Sequence, residues 1–89
     1  MPAFQDTYGW IEYRRGNLED ALPYLQAGAA GLPDDQVAQF HLAMVYADLG
    51  RTAEAIAKFK RMQELAGDRA LPQLAIAQER MITLASDSQ

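Results

Sequence analysis

The sequence predicts an all-α fold of antiparallel helical hairpins stacked in series, and three observations carry that expectation. Sliding the chain along itself by 34 residues pairs Gly16 with Gly50, Ala21 with Ala55, Leu22 with Ile56, Leu25 with Phe59 and Asp34 with Asp68, with no gap. A fixed period of roughly 20–50 residues marks a solenoid, in which each unit buries its apolar face by stacking on the next. Within each period the apolar residues recur at helical spacing, and glycine, proline and aspartate fall at matching offsets as breakers and starters. At 89 residues the chain is one domain with one modest core, 1–89, divided into repeat one at about 2–35, repeat two at about 36–69 and a last helix at about 70–85.

The elements follow in order. Tyr8, Trp10 and Ile11 give the first helix, near 4–15, which Gly16 stops. Asn17 is placed to cap the second, near 18–30, whose apolar face is Leu18, Ala21, Leu22 and Leu25. Pro23 lies about six residues past that cap, so either the cap lies later, near Glu19 or Asp20, or the helix is kinked. Gly28 and Gly31 each lower helicity by roughly 1 kcal/mol relative to alanine, which makes this the frailest helix. Pro33-Asp34-Asp35 ends it and starts the third, near 35–49, with Leu42, Val45, Tyr46 and Leu49 on its apolar face. After Gly50, Thr52 offers a capping oxygen to the fourth, near 53–66, where Ala55, Ile56, Phe59 and Met62 form the face.

Composition narrows the function. Twelve acids against eight bases give a net charge of −4, and the bases, Arg14-Arg15 and Lys58, Lys60, Arg61, are too scattered to attract nucleic acid or an anionic membrane. No apolar run reaches the ~18 residues of a membrane span, and Met1–Asp6 lacks the character of a signal peptide, so no membrane insertion is expected. Cysteine is absent, His41 is the only histidine, and the only serines, Ser86 and Ser88, lie in the polar tail. With no nucleophile motif, phosphate loop or metal-ligand spacing, the chain reads as a non-enzyme without cofactor or metal. The compartment is left open.

A period of 34, a helical pair, and Leu42-Ala43-x-x-Tyr46 with Ala55-x-x-x-Phe59 resemble the tetratricopeptide repeat. The first unit matches through Tyr8-Gly9, Gly16, Ala21-x-x-x-Leu25 and Pro33, so the resemblance covers roughly residues 3–69. Small residues belong where backbones cross closely, as Gly9/Ala43 and Ala21/Ala55 do. The family's frequent tryptophan is replaced by Gln5 and Gln39, its usual aromatic by Glu12 in the first unit, and its closing proline by Gly67 in the second. The stretch Asp6–Leu18 is similar to repeats of bacterial tetratricopeptide proteins of secretion and exopolysaccharide systems, and the chain reads as excised from, or related to the end of, a longer protein of that kind. The resemblance implies a short right-handed α-solenoid whose inner face, lined by the first helix of each pair, binds protein.

On that inner face the residues left after subtracting core positions are Asp6, Trp10, Tyr13, Arg14, Phe40, His41, Met44 and Asp48. Trp10, Tyr13, Phe40 and Met44 form an aromatic and apolar stripe suited to an apolar helix or peptide, with Asp6, Arg14, His41 and Asp48 as its rim. The plainer alternative is a stripe covered by the protein's own chain, with His41 merely packed and Arg14 paired with Asp48. Some family members hold a chaperone tail's carboxylate with lysines and asparagines, but Asp6, Trp10, His41 and Met44 stand at those places, so no such clamp is inferred. The alternative function is a homodimerisation module whose interface is this groove plus the last helix. In that helix Leu71, Leu74, Ala75, Met81, Ile82 and Ala85 form a stripe which, in the register of the repeats, points toward the inner face. Rotation off register, folding across the groove, or packing on a partner each resolve the conflict, and the last is the expectation.

Overall fold

A computed structural model describes residues 1–69 and 71–87, folded as α1 (Pro2–Arg14), α2 (Leu18–Gly31), α3 (Gln36–Asp48), α4 (Thr52–Ala66) and α5 (Pro72–Asp87). The α1–α2 and α3–α4 pairs are antiparallel hairpins, and α5 lies against α3 and α4. Residue 70, the expected start of the last helix, lies outside the described residues. No described helix is long and apolar enough to cross a membrane.

Both hairpins turn by the same device. Gly16 and Gly50 take φ of 86° and 79°, a left-handed backbone that lets the next amide reach back over the helix end. Asn17 N–H bonds Glu12 O at 2.9 Å and Arg51 N–H bonds Tyr46 O at 2.8 Å, which satisfies the last carbonyls of α1 and α3. The residue whose amide closes one helix is also the N-cap of the next, Asn17 as expected for α2 and Arg51 in place of Thr52 for α4. Thr52 lies inside α4, and the cap is Arg51, without a side-chain cap bond. Asn17 does occupy the cap of α2, but its amide donates to Glu12 Oε2 at 2.8 Å instead. Asp35 caps α3 through its carboxylate, which accepts from Val37 N at 2.9 Å and Ala38 N at 3.1 Å. With α2 running from Leu18 through Pro23, a later cap at Glu19 or Asp20 is ruled out.

The core is built on small residues facing large ones. Ala21, Ala43 and Ala55 are fully buried beside Leu25, Val45 and Phe59. Burying a leucine or phenylalanine contributes about 1.5–3 kcal/mol. The glycines that weaken α2 as an isolated helix let α1 approach it. A Cβ on Gly9 would stand 2.8 Å from Leu25 Cγ, and one on Gly28 would stand 2.8 Å from Asp6 Cβ and 3.0 Å from Asp6 Cα and N.

Two expected core assignments are corrected. Tyr8 and Ile11 are 42 % and 50 % exposed, whereas Leu42 and Val45, one repeat later, are 3 % and 0 % exposed because α2 covers them. The second concerns α5, which packs Leu74, Met81 and Leu84 onto the core around the buried Ala77 and leaves Ile82 and Ala75 exposed. Gln73 and Ala77 keep the 34-residue register of Gln39 and Ala43, so α5 stands in the sequence register of the first helix of a repeat. The face it buries, however, matches Phe40, Ala43 and Ala47, the side on which α3 receives its own hairpin partner. By the ~100° per residue of an α-helix, α5 is turned by roughly a third of a rotation relative to the repeats. Rotation off register therefore resolves the conflict over its stripe.

Gly28→Ala gains about 1 kcal/mol of helix propensity but drives a methyl into the Asp6 backbone, an overpacking cost of about 1–3 kcal/mol. Net destabilisation is the expected outcome of urea unfolding, against the stabilisation that helicity alone would give.

Candidate protein-binding face

The face lined by α1, α3 and α5 holds most of the residues singled out from sequence, joined to one another. Asp6 on α1 is buried and its carboxylate meets His41 Nδ1 on α3 at 3.1 and 2.9 Å, so that nitrogen carries the proton and donates. The His41 ring stacks on Trp10 with centroids 4.0 Å apart and planes 14° apart. Tyr13 stacks on Trp10 as well, at 4.6 Å and 9°. Tyr13 and His41 are both nearly parallel to the indole yet form no ring contact with each other, so they occupy its two opposite faces. Trp10 is thus the middle ring of a three-ring stack and presents its edge, not a face, to a partner.

The row continues across all three helices. Tyr13 Oη donates to Asp48 Oδ2 and Arg80 on α5 donates to Asp48 Oδ1. Burial first, and then the hydrogen bond to Asp48, raise the Tyr13 phenol above its ordinary pKa. The expected Arg14–Asp48 pair is replaced: Asp48 is taken by Tyr13 and Arg80, and Arg14 is exposed with no ion pair among the described residues. Met44 is half-buried against the core.

Phe40 is a correction. It is 5 % exposed and packs on Phe59 of α4, with ring centroids 6.4 Å apart, and on Trp10 at 6.1 Å. Its counterpart one repeat earlier, Asp6, is buried against Gly28 in the same way, because this register faces the inside of each hairpin. The position therefore supplies core rather than groove.

Sequence reasoning missed two features. Arg80 reaches Asp48 only because α5 is rotated, which no spacing in the sequence announces. A cleft of about 640 Å³ also opens between α2 and α4 above Leu42 and Tyr46, rimmed by Gln26, Lys58, Arg61 and Glu64. The helical spacing of Lys58, Arg61 and Glu64 was its one sequence signal.

Two outcomes test this network. His41→Ala strands the buried Asp6 carboxylate, and the expected loss is about 1–3 kcal/mol by urea denaturation. For Tyr13, a pKa raised on folding means that the native state holds its proton where the unfolded chain has released it. Stability from this source is complete below about pH 10 and is lost as pH rises beyond it. The unfolding midpoint of the natural chain should fall more steeply above pH 10 than that of Tyr13→Phe.

No family model matches the chain. Over 37 residues, 42 % of its length, it is 49 % identical to a TPR repeat-containing protein of Pseudomonas aeruginosa, and the match spans 6 % of that much longer relative. Its structure is similar to the crystal structure of a tetratricopeptide repeat domain protein from Salinibacter ruber, with a TM-score of 0.78 and 21 % identity over 96 % of this chain and 97 % of that one. Two in-phase 34-residue copies, a helical hairpin for each, and these likenesses agree: the chain has a tetratricopeptide-repeat fold.

Proposed function

We propose that the domain is a non-catalytic scaffold that binds a protein segment, an apolar helix or an extended peptide, along the face of α1, α3 and α5. One observation carries this reading: Asp6, Trp10, Tyr13, His41 and Asp48 lock one another in place, so the surface is rigid before any partner arrives. A rigid face loses little conformational entropy on binding, which favours affinity at modest area. The contacts it offers are the Trp10 edge and Met44 for apolar groups, with Arg14 as a free cation for an acidic flank. Phe40 supports Trp10 from beneath and does not touch the partner.

A dimer built on this groove and α5 has less support, since α5 uses Leu74, Met81 and Leu84 within its own chain.

Selection of a displayed random-peptide library on the domain tests the reading. The expected binders shift the amide resonances of Trp10, Tyr13, Arg14 and Met44, and Met44→Arg weakens them at least about tenfold with helicity unchanged, a loss of about 1.4 kcal/mol. Binders that map to other faces, or that ignore Met44→Arg and Arg14→Glu, would overturn it.

A further inference from the structure

Met1, Phe4, Tyr8 and Ile11 recur at helical spacing along one side of α1, and Tyr24 of α2 adjoins them, its ring centroid 4.5 Å from that of Tyr8. These five make up most of the exposed large apolar side chains among the described residues. A solenoid face exposed to water normally carries a polar surface, and this one does not. On the α2 edge of the patch, Tyr24, Ala27 and Ala30 stand where the next unit has Lys58, Arg61 and Glu64.

The second unit displays what such a face receives. At the matching positions on α3, Ala38, Leu42 and Val45 are buried beneath α2. Beside them Gln39 Nε2 donates to Ala29 O and Leu32 O, each at 3.2 Å, and so takes up carbonyls at the C-terminal end of the covering helix. The residue in the same register on α1 is also a glutamine. Gln5 is half-exposed, and its side-chain amide has no protein partner among the described residues. Apolar seat and carbonyl donor therefore recur together on α1, and no described element covers them.

We infer that this face docks the C-terminal end of an α-helix from a partner, with small residues on the buried side as in α2, its last carbonyls received by Gln5 and its apolar side resting on Phe4, Tyr8 and Ile11. A second copy of the chain is a poor occupant. The C-terminal carbonyls of α2 are held by Gln39, and those of α4 by Arg69, which donates to Ala66 O at 3.1 Å and Leu65 O at 2.9 Å. The outer side of α5 interrupts its exposed Ile76 and Ile82 with the polar residues Gln78, Glu79 and Thr83.

The test presents α2 as the probe, in a full-length chain preceded in register by an additional copy of residues 1–34. The added α2 should dock on the original α1 and raise the thermal midpoint by about 4–8 °C or more, since 1 kcal/mol corresponds to about that shift at this size. Gln5→Ala in the original unit should remove part of the gain and Tyr8→Glu nearly all of it, while both leave the midpoint of the unextended chain within about 2 °C, as exposed substitutions do. An unchanged midpoint, two separate transitions, or a gain that survives Tyr8→Glu overturns the inference. So does light scattering that finds the unextended chain dimeric at micromolar concentration and made monomeric by Tyr8→Glu, because the occupant is then a second copy.

Discussion

The distance at which neighbouring backbones can cross governs this structure. Gly9, Ala43 and Ala77 occupy one register on α1, α3 and α5, and each presents at most a methyl group where another helix passes. Close crossing lets Leu25 and Phe59 fill the wedge beside it, and it holds α1 near enough to α3 for side chains as short as Asp6 and His41 to meet. Larger residues in that register would push the two helices of each hairpin apart and disturb the row of contacts along α1, α3 and α5 before they destroyed helicity. The glycines of α2 belong to the same constraint, since intrinsic helix stability is exchanged there for proximity.

On the proposed binding face, rigidity and availability compete. The ring stack and the two carboxylates, Asp6 and Asp48, satisfy most of the polar and aromatic groups internally. What is left for a partner is edges, a flexible methionine and one unpaired cation. Such a surface discriminates by shape, because a ligand cannot insert between rings already in contact and must conform to their outline. Asp48 is the point where the two functions meet: it fastens α5 through Arg80 and α1 through Tyr13, so any partner that draws on its charge also loosens the last helix.

Much of the fold was legible in the sequence because repetition amplifies weak signals. One glycine in an apolar pattern is ambiguous, whereas Gly16 and Gly50 at the same phase fix both hairpin turns, and the helix limits fall within a few residues of expectation. The cap of α4 was misread because Thr52 has the right side chain, while the cap position is set by the backbone closure at Gly50 and needs no side chain. Phe40 was misread because helical spacing identifies a face but not which neighbour covers it, and positions 6 and 40 look into the hairpin. The joint placement of Trp10, His41 and Asp6 was within reach of the 34-residue shift. The Arg80–Asp48 pair was not, since it depends on the rotation of α5, which only packing decides.

That rotation also bears on how the array can lengthen. With the hairpin side of α5 packed on the core, a further helix finds on it no surface of the kind that α3 offers α4, while another 34-residue unit placed between α4 and α5 would meet faces of the kind it needs. Tandem duplication within the array thus keeps matching faces, whereas α5 has already buried the side that a hairpin partner would use. Met81 and Leu84 of α5 stand where the second unit has Ala47 and Gly50, and these larger residues fill the side that α5 turns to the core.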